Sequence, residues 1–465
     1  MANSKVLAAA TSAVSDDPQA GVGALLIKSG EVLASHFSGL RNRELNLPFD
    51  AQTPFRMCSI TKHFSALLLI QAVQAGRARL DDHPARHVPS LSVLHPATTL
   101  RQLCAHQAGL RDVYCLAMLL GAGAEDSFGR EAVESLLPLL AEPQFSPGTQ
   151  SCYSNTGYLM LGWVLEAIWA QPLASLYQDL IFAPLGMQHT YLAGDTGAPL
   201  SAQSIGYEAD ERGEAMPARV RLCWAADAGL VTTAADLVIW EGQWHRGDAR
   251  FAALLSELQQ PCPLADGSSP DARLGIRQTV RRDEQEWFHT GGLRGWRMAR
   301  THLPGRDLSV LVLFNHMADP LPSARAIIDA ACGRPADAAL AKSRALASPE
   351  STAFDRNRPA MTLVSAISGA YHCERSATSV HIRAQGQGAE IVFDGPFAGP
   401  AGQTYPLRVL GPDRASFHIS RALDYPAPET VTVEFSESAA DGFQAVTLGC
   451  WQCLGLRFER EKRRA

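Results

Sequence analysis

Ser59 and Lys62 stand three residues apart at the start of the apolar run CSITKHFSALLLIQ, residues 58–71. Residues three apart in a helix share a face, so the Lys62 amine can reach the Ser59 hydroxyl. That is a weak nucleophile beside a group able to take its proton. A chain of this length carries about one or two such strings by chance, so the pair alone does not define a site. Two further polar motifs do: Tyr153-Ser154-Asn155 and His289-Thr290-Gly291-Gly292. Taken singly, a buried tyrosine and a Gly-Gly bulge would account for them; together with Ser59 and Lys62 they favour nucleophilic catalysis.

The chemistry assigns a role to each residue. Lys62 serves as base only where its ammonium form is disfavoured, and both an apolar helix and the positive end of the helix dipole act in that direction. Tyr153 is the other proton acceptor, because a phenolate beside a cation is stabilised; the residues themselves leave the choice open. Gly291 and Gly292 on a strand edge clear side chains from the backbone, so an extended substrate can meet its N–H groups. One of these with the Ser59 N–H forms an oxyanion hole, each donor contributing on the order of 3 kcal/mol. Asn155 offers an acceptor and donors to a scissile amide. An imidazole at His289, with an ordinary pKa of about 6.5, is mostly neutral at pH 7 and favours a substrate without a free carboxylate.

The elements that must position these groups follow from pattern. GVGALLIKSGEVLASHFSGL (21–40) reads as a hairpin about Lys28–Glu31, and the run from Ser59 to Ala75 as a buried helix closed by Gly76. Mostly helical or irregular sequence continues to about residue 200, with another helix after Asn155. From about 273 come the strands RLGIRQTV, EWFHTGG, WRMARTHL and LSVLVLFNH, then a helix over DPLPSARAIIDAAC. Strands, a helical insert, strands and a final helix describe an α+β layer fold whose sheet joins both ends of the segment. We expect a catalytic unit over 1–335, a linker over 336–360 rich in Ala, Ser, Pro and charge, and a unit over 361–465 whose short, regularly spaced strands form an antiparallel sandwich or barrel.

Bulk properties exclude other classes. The 465 residues are 46% hydrophobic and 19% charged with formal net charge −6, which offers little to nucleic acid or an anionic membrane. No run of about 18 apolar residues is present for a membrane-spanning helix. The Ala-rich N-terminus is a poor signal peptide, so a cytoplasmic location is expected. Ten cysteines follow no framework, and Cys450-Trp-Gln-Cys453 lacks a second ligand pair, so neither metal nor other cofactor is expected. The isolated histidines read as surface residues rather than ligands.

SxxK, YxN and HxG in this order resemble the penicillin-recognising serine hydrolases of the class C β-lactamase type, which include D-alanyl-D-alanine carboxypeptidases, esterases and D-stereospecific aminopeptidases. CSITKHF, LCAHQAGLRDVY, HTGGLRGWR, GAYHCERS, YPLRVLG and TLGCW are most similar to the D-aminopeptidases, so the likeness spans both units. It implies a β-lactamase-like catalytic domain and a small C-terminal barrel. It implies Ser59 as acylating nucleophile, Lys62 and Tyr153 as proton-transfer partners, Asn155 and His289 as substrate-side groups, and the N–H groups of Ser59 and Gly292 as oxyanion hole. The substrate would be a small peptide or an amino acid amide or ester, and the assembly a homodimer. D-aminopeptidases resemble three-domain chains with two small barrels; this chain has room for one and a remnant. The Pro-flanked segment Ser420–Pro428 carries Asp424, and the resemblance implies that such a loop reaches the cleft and that its acid holds the substrate's ammonium. Rival readings are an esterase, a carboxypeptidase or a β-lactamase of the same chemistry, or a non-catalytic ligand sensor.

Overall fold

The computed structural model describes residues 5–9, 19–210, 212–247, 249–335, 364, 367–385, 388–399, 402–410, 413–419, 429–439, 442–450 and 452–461. Strands β1 (Val22–Lys28) and β2 (Glu31–Ser38) form the expected hairpin; after the helical insert come β3 (Arg277–Arg281), β4 (Glu284–Leu293), β5 (Trp296–Leu303) and β6 (Leu308–Phe314). The insert includes α1 (Thr61–Gln74), α2 (Val113–Leu119), α3 (Asn155–Trp169) and α4 (Ala234–Arg246), and α5 (Pro320–Ala331) follows β6.

These strands make one six-stranded sheet in the order β3-β4-β5-β6-β1-β2, antiparallel throughout. β1 pairs with β6 from Val22↔Phe314 to Lys28↔Leu308, which closes the two ends of the catalytic unit onto each other. Every residue of β6 is buried because side chains alternate between two covered faces. Val310 and Val312 meet Ala324, Ile327 and Ile328 of α5 on one face, whereas Leu311 and Leu313 join the main core with α1 on the other.

Helix α1 is buried on nearly all sides, as its composition demands. Phe64, Leu67, Leu68, Leu69 and Ile70 are buried, each contributing roughly 2 kcal/mol of transfer free energy. Phe64 packs on Trp240 of α4 with ring centroids 4.4 Å apart. This apolar anchoring fixes the N-terminal end of α1, where the polar residues sit.

The C-terminal strands are β7 (Gly369–Cys373), β8 (Thr378–Gln385), β9 (Gly388–Asp394), β10 (Gln403–Val409), β11 (Arg414–Ile419), β12 (Glu429–Ala439), β13 (Gly442–Cys450) and β14 (Cys453–Arg460). They form a closed antiparallel barrel, because β14 returns to pair with β7 at Tyr371↔Arg460 and His372↔Glu459. Alternate residues such as Val380, Ile382, Ile391, Phe393, Val431 and Val433 fill the interior. The barrel abuts the helical part closely: a Cβ at Gly121 (φ +95°) would lie 2.7 Å from Phe393 Cβ. The expected linker, 336–360, lies outside the described residues.

Candidate active site

Ser59 does not begin the α-helix; it lies in a 3₁₀ turn, Cys58–Ile60, that runs into α1 at Thr61. Cys58 takes φ +51°, a left-handed conformation costing a non-glycine residue roughly 1–2 kcal/mol. This strained turn leaves Ser59 half-buried between buried neighbours and holds its hydroxyl against the lysine. Burial also pushes the Cys58 thiol up to about 12, so it is inert beside the serine.

Lys62 is 0% exposed. Its Nζ donates to Ser59 Oγ at 3.1 Å, Asn155 Oδ1 at 2.8 Å and the Asp227 carbonyl at 2.8 Å, and lies 5.0 Å from the centroid of the Tyr153 ring. An ammonium has three donors, and a buried one requires all of them satisfied. The Tyr153 hydroxyl reaches Ser59 Oγ at 2.7 Å and Asn155 Oδ1 at 3.3 Å. Two residues named from sequence, Lys62 and Tyr153, thus converge on the Ser59 hydroxyl, and a third, Asn155, ties those two together.

Sequence reasoning missed the groups that hold this arrangement. Asp227 is buried, its carboxyl raised by burial and bonded by the Tyr114 hydroxyl at 2.9 Å; its carbonyl, which serves Lys62, has no side-chain signature. His106 lies 4.4 Å from Tyr153 ring to ring, and its Nδ1 accepts from the Ser154 N–H at 3.2 Å. Burial and the Lys62 cation hold that imidazole well below its ordinary range, so it is neutral. Asp112, buried and raised by burial, accepts from the Asn155 N–H at 2.6 Å. An Asp preceding an apolar run is a helix-cap signal, the one clue that could have found it.

β3 pairs with β4 only from Arg281↔Glu284 to Arg277↔Phe288. Past Phe288, the segment from His289 to Leu293 has β5 on one side and no strand on the other among the described residues. Such an open edge can receive an extended substrate. Gly291 differs from expectation: a Cβ there would meet the Met57 carbonyl at 2.4 Å, so its missing side chain seats the turn that carries Ser59. Gly292, half-buried, is the neighbour left at the edge. His289 is 3% exposed; burial and Lys62 bring its pKa down to about 3. Its Nδ1–H donates to the Thr290 carbonyl at 2.7 Å, which leaves Nε2 as an acceptor.

Beside Tyr153 opens a cavity of ≈ 220 Å³ whose walls include His106, Ser151, Asp271 and Arg277. Arg277 and Asp271 pair at 2.6 Å, both half-exposed. Glu241, His245 and His302 bring ligand atoms within 4.8 Å of one another. Glu241, however, holds the Arg300 guanidinium, and both histidines bond Ser309 Oγ, so the group reads as a buried hydrogen-bond network with a cation beside it. Asp424 lies outside the described residues.

A β-lactamase family model matches residues 10–332, and a model described as D-aminopeptidase, domain B matches residues 350–459. The chain is 26% identical to a D-aminopeptidase of Brucella melitensis biotype 1 over 494 aligned residues, covering 94% of each. It is 33% identical to a D-aminopeptidase of Gluconobacter oxydans over 318 residues, 68% of this chain but only 60% of that relative. The octameric penicillin-binding protein homologue from Pyrococcus abyssi shares the fold over 99% of this chain and 100% of its own, with TM-score 0.64 at 19% identity. The D-amino acid amidase from Ochrobactrum anthropi SV3 does so over 71% and 98%, with TM-score 0.57 at 19% identity. The strained serine turn, the buried lysine and the open strand edge are therefore those of a hydrolase of the β-lactamase family, to which this chain belongs, joined to a D-aminopeptidase-type barrel domain.

Proposed function

We propose that the protein releases N-terminal D-amino acids from short peptides, amides or esters through an acyl-enzyme on Ser59. The observation that carries this reading is Ser59 Oγ held between Tyr153 Oη and Lys62 Nζ at 2.7 and 3.1 Å, in a chain whose likeness to D-aminopeptidases runs through both units. The Lys62 ammonium, held by three acceptors, stabilises Tyr153 as its phenolate once the phenol proton has gone to solvent, and that phenolate takes the serine proton as Oγ attacks the carbonyl carbon. The Ser59 and Gly292 N–H groups receive the oxyanion. Tyr153 returns the proton to the departing amine, which leaves through the cavity that Tyr153 lines. Water then repeats the sequence on the ester.

A neutral His289 supplies no cation for a carboxylate on the acyl side. Asp424 is the acid we assign to the substrate's ammonium, and Asp424→Ala is expected to lower kcat/KM for D-amino acid amides while sparing N-acylated esters. The deciding assay compares D-Ala and L-Ala p-nitroanilides with N-acetylated controls. Faster cleavage of the L or blocked forms would sink the reading. One observation favours a carboxypeptidase: Arg277 lines the leaving-group cavity half-exposed. Faster turnover of a C-terminal D-Ala-D-Ala peptide than of D-Ala amide would select it. A ligand sensor would give no covalent adduct on Ser59 after exposure to a slow acylating agent.

A further inference from the structure

Ser154 precedes α3 and is the residue type that caps a helix with its own hydroxyl. It does not: no side-chain cap is made, and its buried Oγ has no partner among the described residues. The free N–H at the start of α3 is taken instead by Asp112 Oδ2, at 2.6 Å from Asn155 N. A carboxylate at a helix N-terminus is also the favourable charge there. Asp112 Oδ1 meanwhile accepts from the N–H groups of Tyr114 and Cys115, so one side chain starts two helices. Thr156 adds to the join, its hydroxyl donating to the Arg111 carbonyl at 2.8 Å and accepting from the Val113 N–H at 2.9 Å.

The opposite side of this segment is held by the barrel. The Asp112 N–H donates to the Gln452 carbonyl at 3.1 Å. Arg111 Nε donates to the Leu454 carbonyl at 3.0 Å and Nη2 to the Gly455 carbonyl at 3.4 Å. Cys115 Sγ donates to Gln452 Oε1 at 3.4 Å, and the Leu454 N–H to Gln144 Oε1 at 3.0 Å. Arg111 and Asp112 are thus gripped by the barrel on one side and by the first turn of α3 on the other. Asn155, in that turn, accepts from Lys62 Nζ at 2.8 Å.

We infer that the barrel's β13–β14 hairpin is a positioning element of the catalytic centre: its carbonyls hold Arg111 and Asp112, and Asp112 places Asn155 and through it Lys62. The barrel therefore acts on the acylation of Ser59 by any substrate, including one too small to reach it. Displacement of about 1 Å in such a network slows chemistry by about 100-fold.

The test uses the full chain and p-nitrophenyl acetate, whose acylation of Ser59 does not depend on the D-amino acid reading; the burst of p-nitrophenolate and the mass of the Ser59 adduct report the same step. Asp112→Asn keeps one acceptor for α2 but turns an amide toward the Asn155 N–H. Arg111→Ala removes the bonds to Leu454 and Gly455 of the barrel together with those to the Leu139 and Glu142 carbonyls. Each is expected to slow the burst about 10- to 100-fold with KM within about threefold, and the double variant to be no slower than the slower single. Arg111→Lys, reaching one carbonyl, is expected to recover part of the rate. Wild-type bursts in the Arg111 variants, or losses in the double variant that multiply, would overturn the inference. If Arg111→Ala does not fold, Arg111→Lys with Asp112→Asn carries the same comparison, and a wild-type burst in both overturns it.

Discussion

The hydroxyl of Tyr153 stands 2.7 Å from Ser59 Oγ, closer than Lys62 Nζ at 3.1 Å, and the lysine also donates to Asn155 Oδ1 and to the Asp227 carbonyl. The two partners therefore differ in what their loss does. Tyr153→Phe is expected to lower kcat by about 100- to 10,000-fold with little change in KM, measured with an amide substrate. Near-normal kcat would remove Tyr153 from proton transfer. Ser59→Ala should abolish turnover and leave the melting temperature within a few degrees.

Gly291→Ala tests the nucleophile turn. The added methyl meets the Met57 carbonyl at 2.4 Å, a backbone atom that cannot swing aside. Either β4 or the Cys58–Ile60 turn must shift. We expect a stability loss of about 1–3 kcal/mol and a larger fractional loss in kcat than in binding of a product analogue. Equal losses would place the clash away from the chemistry.

Acid sensitivity follows from four buried imidazoles. His289 is held down to about 3 and His302 to about 2, both by burial first; His63 and His106 are held well below the ordinary value, again by burial. Unfolded histidines titrate at about 6.5, so between that pH and about 3 the unfolded chain binds more protons. Stability is then full above pH 6.5 and is lost on acidification, each histidine withdrawing up to about 1.4 kcal/mol per pH unit. Urea midpoints at pH 7, 6 and 5 should fall increasingly steeply. A flat profile would mean these rings are not neutral in the folded state.

Arg277 lines the cavity through which the proposed leaving group departs. It is half-exposed and shared with Asp271, so its pull on a carboxylate is that of a screened surface charge. Arg277→Gln is expected to lower kcat/KM for a D-Ala dipeptide about fivefold relative to D-Ala amide. An equal effect on both would assign Arg277 to shaping the wall alone.

Ser59 and Lys62 were legible because their spacing is local, and the strands around His289 because one covered face imposes alternation. The groups that hold them were not. Asp112 meets Asn155, and Asp227 meets Lys62 through a carbonyl, across long stretches of chain; main-chain acceptors leave no trace in residue type. Isolated histidines read as surface residues, yet His63, His106 and His302 are buried, since tertiary packing alone decides which loops and faces are covered. Gly291 was expected to clear space for substrate, and the Met57 carbonyl takes that space, because sequence shows that a side chain is missing and not what fills the gap.

The pairing of β1 with β6 also sets an order of events in synthesis. Val22 finds its strand partner in Phe314, so the sheet cannot close until almost the whole catalytic unit has left the ribosome. Ser59 and Lys62 emerge early on a helix that is apolar nearly all round, with no sheet yet to cover it. Contacts of such sequence separation form slowly, and exposed apolar helices aggregate. Nascent chains ending before β6 should therefore be hydrolytically silent and dependent on chaperones, with activity appearing as a late, all-at-once event.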